Sequence, residues 1–116
     1  MRVRTMSSQP AGLIQVLLDE SAEYGDRHDA AMDLGAFDTQ PVEDALSRVA
    51  CDATAHEGLA DACGESLAEI WCRRASVTNE VLVRLTPLSL RTALATLRAC
   101  SPDLAADAEN TLSAKG

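Results

Sequence analysis

From Leu13 to Leu112 the apolar residues of this chain recur at intervals of three and four, and no segment alternates apolar and polar residues with a period of two. A side chain returns to one face of an α-helix every three to four residues, whereas a half-buried strand requires strict alternation. The spacing therefore predicts an all-α fold. Leu13, Ile14, Leu17 and Leu18 mark a first helix over 11–22. Gly25 interrupts it, and Asp26 is expected to cap a second helix, in which Arg27, Ala30, Ala31 and Leu34 fall at i, i+3, i+4 and i+7. Pro41 suits the first turn of a third helix, where its missing N–H is not needed, and Val42, Ala45, Leu46, Val49 and Ala50 form the cleanest apolar stripe in the chain. A longer helix carries Leu59, Cys63, Leu67, Ile70 and Trp71 and ends on Arg73 and Arg74, cations placed near its negative pole. Gly64 inside that helix costs up to about 1 kcal/mol relative to alanine unless a neighbouring helix needs the space. Thr78 is expected to cap a short helix bearing Val81, Leu82 and Leu85. Thr86-Pro87 and Ser101-Pro102 open two more helices, with Leu90, Ala93, Leu94 and Leu97 on one and Leu104, Ala108 and Leu112 on the other.

A chain of 116 residues has room for one domain. It is expected over 10–113, behind a flexible arm at 1–9 and ahead of a tail at 114–116. Much of the core is alanine, and the only aromatics are Tyr24, Phe37 and Trp71. Small side chains bury little area each, so the helices must approach closely. Trp71 and Tyr24 are both candidate anchors for a partner if exposed, with a place in the core the favoured alternative for Trp71.

Eighteen acidic residues against ten basic ones give a formal charge of −8. Ten of the acids lie between 19 and 52, opposed there only by Arg27 and Arg48. Such a surface repels nucleic-acid phosphates and anionic lipid and attracts cationic partners. Arg84, Arg91 and Arg98 recur every seven residues and could share a helix face, but three charges do not make a nucleic-acid footprint. No apolar run approaches the roughly 18 residues needed to cross a bilayer. The opening stretch runs from apolar residues straight into Asp19 and Glu20 without a small-residue cleavage pattern, so the expected address is cytoplasmic. Cys51, Cys63, Cys72 and Cys100 contain no C-x-x-C pair, and Cys63 and Cys100 read as small buried hydrophobes.

Three segments align at helical spacing: Arg27-x-x-Ala30-Ala31-x-x-Leu34-Gly35, Ala60-x-x-Cys63-Gly64-x-x-Leu67-Ala68 and Leu90-x-x-Ala93-Leu94-x-x-Leu97-Arg98. Their offsets are 33 and 30 residues, and 44–49 matches 80–85 at an offset of 36. Periods of this size mark stacked helix pairs. The pattern resembles the HEAT-repeat family of armadillo-like helical proteins, and its short bacterial members in particular. That resemblance implies a short right-handed α-α solenoid of about three helix pairs, over 11–36, 41–75 and 79–100, with 102–112 as a cap. The alternative is a compact helical bundle. It also implies a scaffold or adaptor that holds another macromolecule, although fold does not assign the target.

Chemistry-bearing constellations are sparse. His28-Asp29 is a doublet found in all-helical metal phosphohydrolases, which this chain resembles in that doublet alone. Zinc spacing, a phosphate-cradling glycine loop and a nucleophile elbow are missing, so neither catalysis nor a cofactor or metal is expected. Asp61, Glu65 and Glu69 recur every four residues and align three carboxylates on one helix face. The expected function is binding of another, basic protein through Asp29, Asp33, Glu43, Asp44, Asp61 and Glu65. One form is an immunity-type inhibitor that occludes a basic toxin or nuclease, and the other an adaptor or regulatory scaffold subunit.

Overall fold

The computed structural model describes residues 10–115, so the arm expected over 1–9 lies outside the described residues. The described residues form seven α-helices and no strand: α1 (Pro10–Leu18), α2 (Tyr24–Leu34), α3 (Gln40–Ala50), α4 (Glu57–Arg74), α5 (Asn79–Leu82), α6 (Pro87–Cys100) and α7 (Pro102–Lys115). The all-α expectation holds. α7 runs to Lys115, past the expected end of the domain at 113.

Most boundaries follow the start and stop signals, and the departures have local causes. α1 stops at Leu18 because the Asp19 carboxylate accepts hydrogen bonds from the Ser21 backbone N–H at 3.0 Å and the Ser21 hydroxyl at 2.7 Å. A short polar side chain that captures nearby backbone offers the chain a turn in place of the next helical bond. α2 begins before Gly25, so Asp26 lies in its first turn and is not the cap. The Arg27 guanidinium Nε donates to the Leu17 carbonyl at 2.9 Å and pins the start of α2 to the end of α1. α4 is capped by His56, whose Nδ1 accepts the Gly58 N–H at 3.0 Å. Its far end closes on Ala75 in the left-handed region, φ 58°. Thr78 stands at the start of α5 but makes no cap bond, because its hydroxyl serves Glu43 instead.

α4 is the hub. It packs against α2, α3 and α6, while α1 lies on α2 and α3, and α7 on α6 and α5. The core gathers Leu17, Leu34, Leu46, Leu67, Trp71 and Leu97 around it. Burying each such side chain contributes about 1.5–3 kcal/mol. Close approach depends on small residues, as the alanine-rich composition requires. A Cβ at Gly64 would lie 2.7 Å from the Ser89 carbonyl oxygen of α6, and one at Gly35 would lie 2.7 Å from a Glu69 carboxylate oxygen of α4. The buried Ser66 hydroxyl donates to the Ala31 carbonyl at 2.6 Å, which fastens α4 to α2. The Ala50 carbonyl at the end of α3 accepts from the Thr86 N–H at 3.1 Å and the Ser89 hydroxyl at 2.9 Å.

The cysteine expectation requires correction. Cys63 is fully buried and burial pushes its thiol up to about 12, but Cys100 is exposed and its sulfur is bonded to that of Cys72. The Cα atoms are 6.4 Å apart, inside the range of disulfides. α6 runs side by side with α4, which brings their C-terminal cysteines together across 28 residues of sequence. Closing a loop of that length contributes on the order of 3–4 kcal/mol on a chain-entropy basis.

Candidate functional site

The six acids singled out above fall into four settings. Asp29 and Asp33 lie one turn apart on α2 and are exposed, opposite the buried Ala30, Ala31 and Leu34. Asp61 and Glu65 are half-buried on α4. Asp61 is hydrogen-bonded by the Thr92 hydroxyl of α6, and Glu69, one turn beyond Glu65, lies against Gly35 at the end of α2. The Asp61–Glu65–Glu69 row therefore forms the ridge of α4 between α2 and α6. Asp44 is exposed on α3, where it accepts from the Gln40 amide at 2.8 Å. It borders a separate crevice with Arg48, Asp52 and Arg84.

Glu43 is corrected outright. It is 2% exposed and cannot meet a partner. Its carboxylate accepts from the Trp71 indole N–H at 2.9 Å, from Arg74 at 2.9 and 3.3 Å, and from the Thr78 hydroxyl. Burial alone would raise its pKa. The bonds from Arg74, Thr78 and Trp71, with the Arg74 charge, outweigh that and hold the carboxyl below the usual range. Glu43 thus joins α3 to the end of α4 and the approach to α5. Trp71 is fully buried beside it, so the core expectation for that residue is right.

The charge on the α4 ridge is crowded. Burial, then the neighbouring Glu65 carboxylate, raise the Glu69 pKa against the attraction of Arg73. Among the described residues the ion pairs are Arg73–Asp38, Arg74–Glu43 and Arg98–Glu109, and none uses Asp29, Asp33, Asp44, Asp61 or Glu65. The possible arginine stripe does not form. Arg84 precedes α6, and Arg98 is bound to Glu109 at 2.7 Å.

Among the described residues Tyr24 is the exposed large apolar side chain, at 44%, and both histidines pack on it. Its ring stands 4.4 Å from His56 and 5.7 Å from His28, centroid to centroid. His28 is therefore an aromatic neighbour on the helix that also carries Asp29. Among the described residues no three His, Cys, Asp or Glu side chains gather in a way that could hold a metal ion. No helix of the described residues is long and apolar enough to cross a membrane.

Compared with models of known protein families, with curated proteins and with solved structures, the chain matches none.

Proposed function

We propose that this chain is a protein-binding module that presents an acidic helical surface, built by α2 and α4, to a basic protein partner. The carrying observation is the row Asp61–Glu65–Glu69 on α4, where burial first and then the neighbouring Glu65 charge raise the Glu69 pKa; Asp29 and Asp33 are exposed on the adjoining α2, and among the described residues no ion pair uses Asp29, Asp33, Asp61 or Glu65. A partner that brings Lys or Arg to this ridge relieves that repulsion, and its encounter is accelerated by the field. Tyr24, at the start of α2, supplies an aromatic contact at the margin of the same helix. Nucleic acid and anionic membrane are disfavoured by the same charge. The proposed address is cytoplasmic.

The order of helix contacts supports a short HEAT-like solenoid over a bundle. α1 stacks on α3, and α2, α4 and α6 stack in sequence. Contacts of Tyr24 with His56, of Ser66 with Ala31 and of Cys72 with Cys100 run in one direction along that stack. The Arg27 bond to Leu17 ties the first helix pair, at the residue that opens the first of the three aligned segments.

Within this reading the immunity-type inhibitor is favoured over the adaptor scaffold. A row of carboxylates that lies outside the ion pairs of the described residues suits a single cationic target. Binding assays on Asp33→Lys, Glu65→Lys and Asp44→Lys separate the two. An inhibitor loses affinity in the first two and keeps it in the third, because Asp44 lies on a different crevice. Equal affinity for all three variants and the unaltered chain would remove the acidic ridge from the interface.

A further inference from the structure

Four cysteines occupy three chemical situations. Cys63 is sealed in the core with its thiol at about 12, and Cys51 is half-buried with its thiol also raised by burial. Neither ionises readily, and the thiolate is the reactive form. Cys72 and Cys100 are bonded to one another, and the two residues differ in exposure: Cys72 is half-buried and Cys100, the last residue of α6, is exposed. Cys100 also stands at the joint of two helices, since Pro102 opens α7. Cys72 stands between Trp71, which bonds Glu43, and Arg73, which bonds Asp38 and the Gly35 carbonyl. The bond therefore ties the end of α6 to the segment of α4 that holds α2 and α3.

We propose that the Cys72–Cys100 pair is a thiol–disulfide exchange site for low-molecular-weight thiols, entered at Cys100. In the reducing direction the thiolate of a small thiol attacks the sulfur of Cys100, the more exposed residue of the pair. The S–S bond breaks, its electron pair leaves on the Cys72 sulfur, and that thiolate takes a proton from water. A second small thiolate attacks the small-molecule sulfur of the mixed disulfide and releases Cys100 as a thiolate, which is protonated in turn. The protein gains two electrons and two protons, and two small thiols become one small disulfide. With a small disulfide as oxidant the same steps run backwards. Exposure decides the entry point, because the attacking sulfur needs a clear line to the bond. A compartment rich in small thiols opens the tie and an oxidising episode closes it, which suits a regulatory disulfide better than a permanent one.

The full chain, held folded in glutathione buffers from fully reduced to fully oxidised, is quenched, unfolded, alkylated and weighed intact. The expected result is four alkyl groups at the reduced end, two at the oxidised end, and one transition between them. With Cys72→Ser, oxidised glutathione adds to Cys100. With Cys100→Ser, addition at Cys72 is slower by about an order of magnitude, as its lower access requires. Four alkyl groups at every ratio would overturn the site. Two at every ratio, with four appearing only after unfolding in reductant, would make the bond a sealed structural one and overturn exchange. Equal rates for the two variants would overturn entry at Cys100.

Discussion

The indole N–H of Trp71 donates to the carboxylate of Glu43 at 2.9 Å, and both residues are sealed from solvent. An anion is kept inside an alanine-rich core because three donors on two other segments converge on it. Removing it strands the Arg74 guanidinium and the Trp71 N–H. Loss of one partner of a buried pair costs about 3–5 kcal/mol, to be discounted where the other partner reaches water. Arg74 is 33% exposed, so Glu43→Ala is expected to cost about 2–4 kcal/mol in chemical denaturation. Trp71→Phe keeps most of the ring and loses one bond to a charged group, and is expected to cost about 1.5–3 kcal/mol.

The same carboxylate shapes the acid limb of stability. A carboxyl whose pKa is lower in the folded state binds fewer protons folded than unfolded. Its contribution is present above the unfolded value, near 4.5, and is lost as pH falls through the folded value below it. Glu43→Gln is expected to flatten the fall in stability on the acid side of pH 4.5, as read by urea titrations at successive pH values. An unchanged slope would mean that other carboxylates carry the acid transition.

Two backbone positions make opposite demands. Gly64→Ala places a methyl 2.7 Å from the Ser89 carbonyl oxygen, which belongs to helix backbone and cannot swing away. Overpacking of this kind costs about 1–3 kcal/mol, more than the helix-propensity gain of about 1 kcal/mol, so the variant melts lower. Ala75 holds a left-handed conformation at the end of α4 with φ 58°. Ala75→Gly is expected to raise stability by about 1 kcal/mol, because glycine adopts that region without the Cβ clash.

These two positions also mark what was legible in the chain. The apolar spacing locates the helices, Pro41, Pro87 and Pro102 stand in the first turns of theirs, and the glycine in the longest helix has the close neighbour that its place there calls for. Glu43 was misread because it abuts the apolar stripe, and its burial depends on Trp71 and Arg74, which lie 28 and 31 residues further on. A local signal did exist: Glu43, Ser47 and Ala50 form an i, i+4, i+7 row, and all three are buried. The Cys72–Cys100 bond left no comparable trace. It depends on how α4 and α6 run together, which spacing within each helix does not encode. Turn chemistry misled at Asp19, which ends α1 early, and at Thr78, whose hydroxyl answers a buried carboxylate instead of capping its own helix.

Burial of Glu69, and after it the neighbouring Glu65 charge, should cost stability, and binding recovers the part that is repulsion. A carboxyl with a raised folded pKa binds more protons folded than unfolded, so its penalty appears as pH rises through the folded value. Glu69→Gln is therefore expected to melt at or above the temperature of the unaltered chain at neutral pH, with the difference vanishing in acid. The same substitution is expected to weaken partner binding. A variant both less stable and fully competent to bind would break the link between repulsion and recognition.

The most direct test of an acidic docking ridge is capture of partners by the tagged chain from its own lysate at low and moderate salt, beside Asp33→Lys and Glu65→Lys variants whose melting is unchanged. One basic protein, held at low salt, released at moderate salt and lost in both variants, is the expected result. A partner retained equally by both variants and at both salt concentrations would contradict it.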